Sequence, residues 1–519
     1  MNRRLFFVAV AFTLFAKFAT AAETSQDYFA IRVVDDQTGR GVPLVYLQTT
    51  YKTRYVTDSN GYVAFNEPGL LTGGDVWFEV SSYGYDSPAG PFGLNGVQLK
   101  PTAGGSAEIR LKRNQIAERL YRTSGYGIYR DSVLLGKPTP IKQPLLNAKV
   151  TGQDTIQTAV YHGKLYWLWQ DTDRLGFGLG CFAMTGGTSA LPAQLKPDQG
   201  IDITYFVDKP GEFARPMAAV PIEGAHPIWL DGLTVVKDHT GRERMLGRYV
   251  AVNKDMSPFE TGLLLYNDDK NVFEPLRRFT GTGKDVLAPN GRGIHVRDGD
   301  AEYLHYPNNV RVKATFEAAS DPANYEAFTC VQPDGSLDRN AAGTLRWAWR
   351  RGGRAMGPSE VADAVKQKTF KRDESPFQFV DVDTGKPIEY AGGSVAWNAY
   401  LNRWTLLFGQ KFGDSTVGEI WLATANSPTG PWREAKKVAT HAMPKNNNDF
   451  YNPIQHEDFP NANGRYVYFE GTFVNTFSGN PWPTPYYDYN NIMYRIDLAD
   501  VRMKLPPPPP GWTNATPAD

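Results

Sequence analysis

Cysteine is almost absent. The chain has two, Cys181 and Cys330. That excludes a disulfide-stapled scaffold and a cysteine-based metal site, and leaves one disulfide or two buried thiols. There is no excess of either charge, because 55 Lys+Arg offset 55 Asp+Glu. Nothing in that balance recruits nucleic acid or an anionic membrane surface. The seven histidines form no HExxH and no i,i+4 pair, so a zinc site has no support. GxSxG and the P-loop are also missing, which weakens serine-hydrolase and nucleotide-binding readings. Long apolar runs are lacking except near the start. There Arg3 and Arg4 precede Leu5 to Phe18, interrupted by Thr13 and Lys17 and followed by "ATA". The run is short for a membrane span. It reads as an export signal over 1–22, cut near Ala21 or Ala22, which implies a periplasmic or extracellular protein. No cysteine follows it to take a lipid anchor.

What is plentiful is turn-forming and aromatic: 50 Gly, 37 Pro, 27 Tyr and 12 Trp in 519 residues. Short apolar runs between Gly/Asn/Asp turns recur along the whole length, the pattern of an all-β chain. In 27–113, "YFAIRVVDDQTGRGVPLVYLQTT" and "RYVTDSNGYVAFNEP" each read strand, turn, strand. A short helix is expected at Ile116 to Tyr121. Over 116–500, strands follow one another at the spacing of a sandwich, barrel or propeller. A sandwich of about that length would be unusually large for one domain. "VYHGKLYWLWQD" and "WNAYLNRWTLLFGQ" share a layout, which favours repeated blades. One helix is expected in "GPSEVADAVKQK", with Ser359 as its cap. The tail, 501–519, opens on extended polyproline.

Three stretches carry resemblances. "DDQTGRGVPLV", "TDSNGYVAF" and "IRLKR" together resemble the transthyretin-like or carboxypeptidase-regulatory-like sandwich, which implies an accessory module. "LATANSPTGPW" (422–432) is similar to the blade ending of five-bladed glycosidase propellers such as family 43. The expected architecture is therefore an N-terminal β-sandwich followed by a five-bladed β-propeller.

The third stretch is "TGQDTIQTAVYHGKLYWLWQDTD" (151–173). With His162-Gly163 as a two-residue loop, Tyr161 pairs with Lys164, and the same register sets Asp154 opposite Asp171. Directly opposed side chains have Cβ atoms about 5 Å apart, where like charges destabilise the pair. Crowding raises at least one pKa, so that one acid keeps its proton while the other is ionised. Glycoside hydrolysis asks for that pairing of acid with base or nucleophile. The alternative is that both are turn or edge acids tied to backbone N–H groups. The hairpin resembles the opening of the endo-D-arabinanase family, glycoside hydrolase family 183. There an Asp opens the first strand and "GDT" closes the second, and both aspartates are assigned to catalysis. The resemblance covers about 25 residues and implies catalytic roles for Asp154 and Asp171. Gln170 stands where that family has Gly.

Glu260, before an apolar strand, is a third candidate acid, against a solvated turn Glu as the alternative. Gln153, Trp169 and Asp173 beside the pair are expected to touch substrate. So are His456 and Glu457 in a loop dense in polar and aromatic groups, and Trp482 and Tyr486 in an aromatic, Pro-rich loop. Glu223, His226, Asp231 and Glu470 are weaker candidates. No cofactor is implied; "DGD" at 298–300 and "NDDKN" at 267–271 leave room for a structural calcium ion, with ordinary turns the commoner use of such acids. The expected activity is hydrolysis of an extracellular poly- or oligosaccharide, with no nucleic-acid partner and no membrane span. Two rivals stay open: a non-catalytic glycan-binding propeller, and a polysaccharide lyase.

Overall fold

The computed structural model describes residues 25–176, 184–218, 222, 228–279, 286–443, 449–476, 478–480, 483–510 and 516–518. The leader over 1–22, Cys181, Glu223, His226 and Trp482 lie outside the described residues. The chain is mostly β. No described helix is long and apolar enough to cross a membrane.

The N-terminal region makes two four-stranded sheets. One orders Tyr62–Phe65, Phe29–Asp35, Ser106–Arg113 and Tyr85–Asp86; the other orders Arg54–Val56, Tyr46–Thr49, Val76–Ser81 and Gly96–Leu99. Period-two alternation aims one face of each inward, as along Ser106–Arg113, where Ile109 and Leu111 are buried between exposed neighbours. Phe29, Ile31 and Leu111 meet Leu47, Phe78 and Val80 in one core shared by both sheets.

A two-stranded sheet, Val150–Gln153 with Thr172–Arg174, and five larger sheets follow, the five in chain order. The first is Ile156–Tyr161, Lys164–Trp169, Thr185–Ser189 and Thr204–Tyr205. The second is Ile228–Lys237, Glu243–Val252, Pro258–Asn267 and Val272–Arg278. The third runs from Ile294–Asp298 through Ala301–Tyr306 and Val310–Lys313 to Glu326–Thr329 and Ala348–Arg351. The fourth is Tyr390–Asn398, Arg403–Lys411, Val417–Ala425 and Trp432–Ala439, with Phe377–Asp381 added in parallel at its edge. The fifth is Asp449–Gln455, Tyr466–Val474 and Asn490–Asp497, completed by Glu118–Arg122 from upstream of the first sheet. That last pairing ties the two ends of the array together.

Glu118–Arg122 corrects the expected helix at Ile116 to Tyr121. All five residues are buried as the edge strand of the fifth sheet, and tertiary pairing overrides the local preference of "ERLYR". Arg119 donates to the carbonyls of Pro43 (2.9 Å) and Tyr83 (3.3 Å). Leu44, Tyr46 and Tyr83 pack in the same cluster as Leu407, Leu422 and Phe473. Each fully buried apolar side chain of this size contributes about 1.5–3 kcal/mol, so the N-terminal sheets are welded to the five-sheet array.

The helix in "GPSEVADAVKQK" spans Pro358–Lys366, but Gly357 occupies the cap position and no side chain caps it. Ser359 lies inside the first turn, behind Pro358 at the position proline favours. The tail returns to the body: Thr516–Pro517 pairs with Arg297 and Val296 at the edge of the third sheet. Cys330 is a buried free thiol. Asp298 is taken up by Arg311 (2.7 Å), and Asp268 by the Tyr161 hydroxyl (2.8 Å) and Arg242 (2.6 Å).

Candidate active site

The first hairpin folds in the register its turn dictates. His162 and Gly163 both have positive φ (45° and 73°), as a tight two-residue turn requires. Tyr161 pairs with Lys164 and Ile156 with Trp169. Beyond a short break, Gln153 pairs with Thr172 and Gly152 with Asp173. Asp154 and Asp171 occupy the break, still opposite one another. The Asp154 N–H donates to the Asp171 carbonyl (3.1 Å), and the Gln170 N–H to the Asp154 carbonyl (3.1 Å). Thr155 has φ 42°, so strict alternation of side chains is lost at this point.

Both carboxyls are buried, at 7% and 5% exposure, and all four oxygens have donors. Asp154 Oδ1 accepts from the Asp171 N–H (3.0 Å) and Oδ2 from the Tyr451 hydroxyl (3.0 Å). Asp171 Oδ1 accepts from the Trp229 indole N–H (3.0 Å) and Oδ2 from the Tyr489 hydroxyl (3.1 Å). Burial first, and the Asp171 charge second, push Asp154 up to about 7. Burial raises Asp171 as well, against the hydrogen bonds from Trp229 and Tyr489. The two acids therefore titrate as a coupled pair, each disfavouring ionisation of the other.

Beside the pair is a polar cavity of about 460 Å³. Residues from all five sheets and their connections line it: Gln157 and Gln170, Asp231 and Arg248, Arg292, Ser394, and Asn452. Neither aspartate is itself on its wall; Thr155 and Gln170, each next in sequence to one of them, are, and Asn452 donates to the Thr155 hydroxyl (2.7 Å). Asp231 accepts from the Gly232 and Gly291 N–H groups (2.8 and 3.0 Å). Burial raises its pKa against the pull of Arg248.

The other sequence-based candidates scatter. Glu260 is buried beside Arg278, with which it forms an ion pair, and accepts from the Tyr249 hydroxyl (2.7 Å); it is not on the cavity wall. Gln153 is fully buried, bonded to Thr185 (2.8 Å) and Tyr205 (2.7 Å). Trp169 is fully buried against Trp167 and Tyr205. His456 is in the core between Trp167 and Phe459, facing the buried Glu470 at 3.2 Å. These three were expected to touch substrate; the structure puts them inside the core instead. Asp173 is half-buried opposite Gly152. Glu457 pairs with Arg292 (3.3 Å). Tyr486 is exposed beside Tyr126 and over Arg130. Tyr451, Trp229 and Tyr489 were not among the sequence candidates, although Tyr489 belongs to the aromatic, Pro-rich loop that carries Tyr486. The one available signal was the aromatic density of "NTFSGNPWPTPYYDYN".

No family model and no curated protein matches the chain. Solved structures similar to it include an exo-β-1,3-galactanase from Phanerochaete chrysosporium, at 8% identity and a TM-score of 0.34 over 73% of this chain. The chain spans 65% of that protein's length. A GH43_1 enzyme from Xanthomonas citri is similar at 14% identity and a TM-score of 0.32, over 67% of this chain and 86% of that one. A putative exo-β-1,3-galactanase from Bifidobacterium bifidum s17 is similar at 12% identity and 0.35, over 74% and 94%. Likeness of that degree carries no activity across.

Proposed function

We propose that the chain is an exported glycoside hydrolase acting on a poly- or oligosaccharide, with Asp154 and Asp171 as its acid/base pair. The observation that carries this is the pair itself. Two neighbouring buried carboxyls, both raised in pKa, stand beside a polar cavity walled by five sheets. In this reading the five sheets are the blades of a propeller, closed by Glu118–Arg122, and the cavity is its axis. The two N-terminal sheets are the accessory sandwich. A carboxyl with a pKa near 7 gives a proton to a leaving oxygen at neutral pH, while its ionised neighbour serves as base or nucleophile. Tyr451 and Tyr489 steady the ionised forms by donating to them. An arabinan substrate is supported by the hairpin resemblance alone.

A second reading has one observation in its favour: every carboxyl oxygen of the pair already has a protein donor. A sugar reaches the acids only by displacing a tyrosine or the indole. If none moves, the pair is a latch between sheets and the protein binds glycan without cleaving it. The discriminating experiment is release of reducing ends from a polysaccharide panel by the wild type, Asp154→Asn and Asp171→Asn. Release by the wild type that both variants lose supports hydrolysis at the pair. Full release by either variant refutes it.

A further inference from the structure

The junction between the N-terminal sheets and the five-sheet array holds a second cleft, of about 500 Å³, apart from the aspartate pair. Arg32, Arg40 and Tyr62 come from the N-terminal region, Lys137, Pro138 and Pro140 from the segment after the short helix Arg130–Leu134. Among the described residues, Asp198 is the one acid on its wall, and Asp198 is already taken by Arg495 (2.9 Å) and the Tyr468 hydroxyl (3.1 Å). Arg32 is partly engaged: it is 3.6 Å from Glu108, donates to the Gly39 carbonyl (3.4 Å) and lies over one face of the Tyr62 ring. The other two cations are less committed. Arg40 donates to the Leu120 carbonyl (3.3 Å). No carboxylate among the described residues is within ion-pair distance of Arg40 or Lys137. The cleft therefore has net positive charge in a chain whose overall charge is zero.

We propose that this cleft binds an acidic oligosaccharide, one that carries carboxylates on its sugar rings. Its volume falls within the range of about 300–1,000 Å³ for small-molecule sites and exceeds what a single inorganic anion fills. Its cations come from two separate regions of the chain, which suits a ligand with several spaced charges. Tyr62, Pro138 and Pro140 supply apolar surface against which the C–H faces of sugar rings pack, while the arginines and Lys137 take the carboxylates. The site stands without the hydrolytic reading: it would anchor an acidic glycan whether or not the aspartate pair cleaves it.

The test is calorimetric titration of the full chain with a galacturonate trimer. Parallel titrations use a neutral glucose trimer, inorganic phosphate and a short single-stranded DNA. The uronate trimer is expected to bind, the neutral trimer not to bind, and Lys137→Gln and Arg40→Gln each to weaken binding about 5-fold. Lys137 is exposed, so its variant folds and decides the matter if Arg40→Gln disturbs the junction. The proposal is overturned by uronate affinity unchanged in Lys137→Gln, or by equal binding of the neutral trimer. Phosphate or DNA bound as tightly as the uronate also overturns it, since the cleft would then be a general anion trap.

Discussion

Two pairs of buried aspartates in this chain look alike by burial and differ by partner. Asp58 and Asp131 meet at the junction of the N-terminal sheets with the segment that follows them. Burial raises both, Asp131 to about 7. Asp58 accepts from the N–H groups of Asn60 (3.0 Å), Tyr62 (3.1 Å) and Ser132 (2.7 Å), and Asp131 from that of Ala64 (2.9 Å). These four donors are fixed backbone groups, and they staple a turn and a helix start together; one side chain, the neighbouring Arg130 guanidinium, adds a bond to Asp131 (3.1 Å). Asp154 and Asp171 instead take most of their hydrogen bonds from side chains: two tyrosine hydroxyls and an indole, brought in by three other strands or loops. A raised pKa alone does not single out a reactive acid. What separates the two pairs is the source of their donors, side chains from distant strands and loops for Asp154 and Asp171, and the cavity close to that pair.

The comparison breaks first on pH. Asp154 and Asp131 are each raised from the ordinary aspartate value to about 7. The folded state therefore holds protons that the unfolded chain has released, and stability falls as pH rises from about 4 to 7, by up to about 4 kcal/mol per group. Urea unfolding at pH 5 and pH 8 is expected to show this slope, and Asp131→Asn and Asp154→Asn each to flatten it. A slope unchanged in both variants would remove burial as the common cause. Next in size is Asp58→Ala, which strands three backbone N–H groups and is expected to cost at least about 3 kcal/mol in the same assay. A loss under about 1 kcal/mol would mean the staple is dispensable.

Smaller effects test the proposed role of Asp154 and Asp171. Tyr489→Phe removes a donor to ionised Asp171, so its pKa moves further up, and the pH–rate profile of glycan cleavage is expected to shift the same way. A profile that stays still would place Tyr489 outside the chemistry. Smallest of all, Glu260→Gln is expected to change the cleavage rate less than about 2-fold, because Glu260 answers to Arg278 and Tyr249. A drop of 100-fold would restore it as a third acid.

The opposition of Asp154 and Asp171 was legible because a tight turn sets register and register propagates along a hairpin. The all-β class was legible from turn spacing. The partners of the pair were not: Tyr451 and Tyr489 lie 297 and 318 residues from the acids they hold, and only the closing of five sheets brings them there. Gln153 misled because successive residues on a strand point to opposite faces, and Trp169 because the break at Asp154 and Asp171 ends the alternation that would set it on the side of Asp171. Glu118–Arg122 looked helical because a strand buried among other elements need not alternate.

The most direct test sets one pair against the other in a single assay, kcat/KM for glycan cleavage by Asp154→Asn and Asp131→Asn. The account predicts a fall of about 10²–10⁴-fold in the first and a value within about 3-fold of wild type in the second. Equal effects in the two variants, in either direction, would contradict it.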